Sequence, residues 1–217
     1  MSHLPCVEIE PQSPATHAII WLHGLGADGN DFAPLVPHLT PPVAVRFVFP
    51  HAPQIPVTIN GGMRMPAWYD ILSMSIEREV DEQQLRASAA AVQKLIEREI
   101  DRGIPAQNIV LAGFSQGGAV VYEAALTFPQ RLAGVLALST YLATHATIKP
   151  HPANVDVPIL IQHGSLDPVV PESLGKHAYQ WLLDHHYPAQ YQSFAMQHQV
   201  CGEQVQAMNQ WFQQVLA

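Results

Sequence analysis

The sequence predicts an α/β fold, a mostly parallel central sheet with helices on both faces, and three observations predict it. Short, near-continuous apolar runs rich in Val, Ile and Leu recur along the chain, bounded by Gly or Pro; such runs read as strands buried on both faces. Between them lie stretches with apolar residues at helical spacing, and strands that alternate with helices imply a parallel sheet. Composition agrees. Of 217 residues 48% are apolar and 13% charged, which supplies one buried core and too little charge for a disordered chain.

Taken in order, the strand candidates are HAIIWLHG (17–24), VAVRFVFP (43–50), NIVLAG (108–113), AGVLALS (133–139) and VPILIQHG (157–164). AQYQSFAM (189–196) alternates and is more polar, which suits a strand at or near a sheet edge. A helix is expected from about Asp81 to Arg102, with Val92, Leu95, Ile96 and Ile100 on one stripe and Gly103 as its stop. Another starts directly after Ser115 and ends before Pro129. A third runs from about Pro171 to His186, with Leu174, Ala178, Trp181 and Leu182 on one face. Val205, Met208, Phe212 and Val215 mark a C-terminal helix. Residues 50–70 form the longest irregular region, and loops of that length are often functional. With no repeat, low-complexity tract or linker, residues 1–217 read as a single domain.

Charge and cysteine usage exclude several functions. The formal net charge is −8 with ten Lys plus Arg and no basic cluster, so neither nucleic acid nor an anionic membrane surface is an expected partner. Cys6 and Cys201 fit no metal or redox spacing, which favours a reducing compartment. The opening MSHLPCVEIEPQSPATH lacks the pattern of a secretory leader, and the apolar runs are too short to span a bilayer. A cytoplasmic protein without stable membrane insertion is expected, and a homodimer is compatible with the sequence.

GFSQG (113–117) matches G-x-S-x-G. Alone the motif arises by chance in roughly 5–10% of chains this long. Here a strand leads in and a helix leads out, the context of a nucleophile elbow that exposes its serine at the top of a sheet. The alternative is a Gly-rich turn with Ser115 as an N-cap. A serine needs a base, and the base a carboxylate. On α/β-hydrolase scaffolds the order is Ser, Asp or Glu, then His. Asp167 lies just past the C-terminal end of VPILIQHG, where catalytic groups gather in parallel sheets. Asp156 precedes that strand and Asp184 lies in a helix. Four histidines follow Asp167. His177, His185 and His186 belong to the third helix, whereas His198 follows a strand and precedes the last helix, and is the expected base. His23, His51 and His163 also lie near strand ends; no metal-ligand spacing appears, and they read as hydrogen-bonded loop histidines. Oxyanion donors are expected from the backbone N–H of Gln116 and, in the loop HGLG, of Leu25.

At this point the sequence resembles the phospholipase/carboxylesterase family, the acyl-protein thioesterase-like branch of the α/β-hydrolases. The resemblance rests on IIWLHGLGADGNDF, PHAPQIPVTINGGMRMPAWYDI, IVLAGFSQGGAV, GVLALSTY, HGSLDPVV and MQHQV, in that order from about His17 onward. It implies an α/β-hydrolase without a large lid domain, with Ser115, Asp167 and His198 as triad and Leu25 and Gln116 as oxyanion donors. It further implies no cofactor and hydrolysis of short- to medium-chain esters or acyl thioesters, taken as small molecules or acylated substrates. Residues 57–74, including Met65, Trp68 and Tyr69, would wall the acyl groove, although the two aromatics read equally well as packing residues. One departure is Gln197, where members usually have glycine. A left-handed backbone there would strain glutamine by about 1 kcal/mol or more. Other chemistries on the same site are lysophospholipase activity, acyl transfer to another acceptor and perhydrolysis. A binding protein with an impaired triad is the reading from a different class.

Overall fold

Period-two alternation inside the strands sorts the core into two layers. The computed structural model describes residues 3–73 and 79–217. Its main sheet has seven strands. In chain order they are β1 (Cys6–Ile9), β2 (His17–Leu22), β3 (Val45–Pro50), β6 (Ile109–Phe114), β7 (Gly134–Leu138), β8 (Ile159–Gly164) and β9 (Ala189–Phe194). Their spatial order is β1-β3-β2-β6-β7-β8-β9, and every pairing is parallel except β1 with β3. β4 (Gln54–Val57) and β5 (Met63–Pro66) form a separate antiparallel hairpin.

Ile20 and Leu22 of β2, Leu111 of β6 and Ile161 of β8 face one side. There they meet α1 (Glu82–Asp101), α2 (Gln116–Leu126) and α3 (Glu172–Asp184), through residues such as Val92, Val121 and Leu182. Their neighbours Ile19, Trp21, Ala112 and Leu160 face the other side, against Met208, Trp211 and Phe212 of α4 (Gly202–Val215). Strands buried on both faces need continuous apolar sequence, which is why these runs stood out. α1 begins where the Asp81 side chain accepts from the Gln84 amide, an N-cap. It stops at Gly103, whose φ of 95° suits only glycine.

Two elements differ from expectation. β1 is a short antiparallel edge strand, CVEI, that carries too little apolar sequence to announce itself. The region 50–70 is not wholly irregular, since it contains the β4–β5 hairpin. Pro56 and Pro66 sit within those strands, and proline argues against a strand in any reading by pattern. The expected edge strand is β9, paired only with β8. Glu99 of α1, 0% exposed, accepts from Arg46 of β3 and from Arg98 and Arg102, which also reach Glu8 or Glu10 at β1. Among the described residues no helix is long and apolar enough to cross a membrane.

Candidate active site

Ser115 joins β6 to α2 in a sharp turn with φ 54° and ψ −121°, a strained conformation that costs about 1–3 kcal/mol and persists only where its surroundings enforce it. They do so here. The Ser115 amide donates to Leu138 O of β7 at 2.9 Å. Its carbonyl accepts from Gly118 N at 3.0 Å and from Thr140 Oγ1 at 2.6 Å. The turn is tight enough that a Cβ on Gly113 would stand 2.6 Å from Gly117 O, and one on Gly117 2.5 Å from His23 O. Close approach of backbones, rather than turn flexibility, fixes these glycines.

The loop between β9 and α4 brings His198 to Ser115. Its Nε2 lies 3.0 Å from Ser115 Oγ, and its Nδ1 lies 2.7 Å from Asp167 Oδ2. A carboxylate accepts only, so Nδ1 carries the proton and Nε2 is left to accept from the serine hydroxyl. The other Asp167 oxygen accepts from the Val169 and Val170 amides, both at 2.8 Å. Burial would raise the Asp167 carboxyl. The bonds from His198 and from the two amides outweigh it and hold the group below the usual carboxylate range. Phe114 packs its ring 4.7 Å from that of His198.

Gln197 has no positive φ, so the anticipated strain is absent. The loop is accommodated elsewhere: Gly164 lies against the Met196 and Gln197 carbonyls with no room for a Cβ, and Leu166 N donates to Met196 O at 3.1 Å. His177 is exposed on α3, and His185 donates from Nδ1 to Trp181 O at 2.7 Å, stacked on the Trp181 ring. His163 donates from Nε2 to Val170 O, and His51 accepts from Gly29 N. Both ring nitrogens of His23 are engaged, by Gly24 O and Ala52 N.

The HGLG loop leaves β2 beside the nucleophile, where a Cβ on Gly24 would lie 3.4 Å from Ser115 Cβ. Among the described residues, neither the Leu25 nor the Gln116 backbone N–H is hydrogen-bonded. Gln116 is the first residue of α2, where the helix dipole favours negative charge. Met65 lies next to this loop, its Sδ 4.0 Å from where a Gly26 Cβ would be. Trp68 and Tyr69 are 1% and 0% exposed, although Trp68 lines a small cavity with Leu4, Pro53 and Ile55. Met74, the last residue of the expected groove wall, lies outside the described residues. Thr140, which sequence pattern does not single out, lies two residues past the end of β7 at the same edge, and the Gln116 side chain left no signal in the sequence.

The arrangement can move a proton from the half-buried Ser115 hydroxyl to an imidazole beside unpaired amide donors. The sequence of residues 5–216 matches the phospholipase/carboxylesterase family. The chain is similar to acyl-protein thioesterase 1 of Neurospora crassa, with 39% identity over 89% of this chain and 84% of that one. It is likewise similar to acyl-protein thioesterase 1 of Saccharomyces cerevisiae, with 40% identity over 79% of each. Among solved structures, Zea mays acyl-protein thioesterase 2 superposes with a TM-score of 0.87 at 25% identity, over 99% of this chain and 100% of that one. The chain therefore belongs to the phospholipase/carboxylesterase family, with an α/β-hydrolase fold, and is an enzyme that hydrolyses carboxylic esters or thioesters.

Proposed function

We propose that the chain hydrolyses short- to medium-chain esters or acyl thioesters in the cytoplasm through an acyl-enzyme on Ser115. His198 Nε2 takes the Ser115 proton as Oγ attacks the carbonyl carbon. The resulting oxyanion is held by the Leu25 and Gln116 amides, which stabilise charge that develops only in the transition state. Collapse breaks the bond to the leaving alkoxide or thiolate, which receives its proton from His198. Water then gives a proton to the same nitrogen as it attacks the acyl carbon, and the acid departs with Ser115 restored. Asp167 keeps His198 in the right tautomer and stabilises the imidazolium.

The continuous contact from Asp167 through His198 to Ser115, at 2.7 and 3.0 Å, carries this reading. A cavity of about 960 Å³ supports an acyl substrate, a volume in the range of small-molecule sites. Leu72, Tyr141, Leu142, Leu174, Ala178 and Trp181 are among the residues lining it. Tyr141 of its lining follows Thr140, the residue bonded to Ser115 O, along the chain. Met65 would border the entrance on the oxyanion side, with Tyr69 behind the cavity wall through its 2.8 Å contact with Tyr141. The thioesterases among the relatives favour a thioester, and a chain-length panel of matched esters and acyl thioesters ranks the two. Ser115→Ala is expected to lower turnover of p-nitrophenyl acetate and butyrate by roughly 10⁴-fold or more with an unchanged circular dichroism spectrum. Retained turnover would sink the proposal.

A further inference from the structure

Trp68 is nearly solvent-free yet engages polar groups through its backbone and its indole. Its backbone N–H donates to Gln116 Oε1 at 2.8 Å, and its indole Nε1–H donates to His23 O at 2.8 Å. Its carbonyl accepts from Ser88 Oγ of α1. The same Gln116 carboxamide donates from Nε2 to Tyr69 O at 2.7 Å, so its orientation is settled by its partners. His23 is fixed in turn. Ala52 N donates to Nε2 at 3.2 Å, which leaves the proton on Nδ1 to be donated to Gly24 O at 2.7 Å. The His23 and Trp68 rings lie 5.1 Å apart, and Gly26 N donates to Pro66 O at 2.8 Å just upstream.

We propose that the Trp68 indole and the Gln116 carboxamide form a bracket that sets the spacing of the two oxyanion donors. The inference rests on the acyl-enzyme reading above. One donor, Gln116 N–H, belongs to α2; the other, Leu25 N–H, belongs to the loop after β2. They come from separate segments, and donors that act on a developing oxyanion must be held to about 0.5 Å. The bracket runs from Gln116 to Trp68, from the indole to His23 O, and from there along the chain to Leu25. Its side-chain hydrogen bonds, through the Gln116 carboxamide, the Trp68 indole and the His23 ring, are all buried and paired, so it is stiff. Trp68 is then a positioning residue. It acts on the rate of the acyl step and not on the choice of acyl chain.

Trp68→Phe keeps an aromatic ring, though a smaller one, and removes the indole donor. It is expected to lower kcat by roughly 10- to 100-fold, by the same factor for acetate, butyrate and octanoate esters, with KM within about threefold. Affinity for a trifluoromethyl ketone, which mimics the tetrahedral intermediate, is expected to fall in proportion to kcat/KM. Gln116→Met, which keeps the backbone donor and removes the carboxamide, is expected to give the same pattern, and it decides the matter should Trp68→Phe fail to fold. A KM or chain-length change with kcat on acetate unaltered would overturn the bracket and make Trp68 a groove wall. Ser115→Ala separates the two readings. If it is inactive while Trp68→Phe and Gln116→Met behave as wild type, only the bracket fails; if it retains turnover, the acyl-enzyme reading fails with it.

Discussion

Ser115 carries a positive φ that a β-carbon disfavours, and four hydrogen bonds to its backbone hold it there. Gln197, the residue immediately before His198, carries no such burden. Its side chain is exposed and only its carbonyl is used, by Gln199 N. Gln197→Gly is therefore expected to leave kcat/KM within about twofold. It should lower stability by up to about 1 kcal/mol, because glycine loses more freedom on folding. Steady-state kinetics with a denaturant titration checks both; a tenfold gain in rate would mean that glutamine distorts the loop after all. His198 itself was legible because it alone followed a strand after Asp167. The state of residue 197 was not, since φ depends on how the loop is strapped to Gly164 and Leu166.

Among the elements, β1 and α1 are tied by charge rather than by apolar burial alone. Glu99 is 0% exposed and faces three arginines. Removing one partner of a buried ionic cluster is costly because the others stay buried and uncompensated. Glu99→Gln is expected to destabilise the fold by roughly 3 kcal/mol, read from urea unfolding, with kcat unchanged in the folded fraction. A change below about 0.5 kcal/mol would indicate that water reaches the arginines freely. This cluster also accounts for what pattern reading missed. β6, as NIVLAG, announces itself because both of its faces are buried, whereas CVEI at β1 relies on pairing with β3 and on Glu8 and Glu10. The β4–β5 hairpin hid for a different reason, its prolines. The bracket on Gln116 hid for a third, because a side-chain amide that reaches 48 positions along the chain imposes no periodicity.

Over the whole molecule, buried histidines make stability depend on pH. His23 and His163 are both held below the ordinary imidazole value, chiefly by burial. The unfolded chain then binds more protons between their folded values and about 6.5, so stability rises with pH in that window. Their contribution is complete above about 6.5 and is lost as pH falls through it. Urea midpoints measured from pH 8 to 5 should therefore decline, and less steeply in His163→Gln, which can still donate to Val170 O. Equal slopes would mean that His163 titrates normally in the fold. Asp167 acts in a separate, more acidic window. Its depressed carboxyl contributes above the unfolded value of 3.8 and loses that contribution as pH falls through the folded one.

The β4–β5 hairpin stands outside the seven-stranded sheet, joined to the rest by few backbone bonds such as Gly26 N to Pro66 O. The hairpin and the catalytic contact from Asp167 through His198 to Ser115 thereby occupy different layers of the molecule. Substitutions from Gln54 to Pro66 fall outside the sheet whose strand ends carry Ser115 and Asp167. That separation ends at Trp68, where the chain after the hairpin is bonded to Gln116 at the start of the nucleophile's own helix. The hairpin is free to vary up to a fixed boundary two residues beyond it.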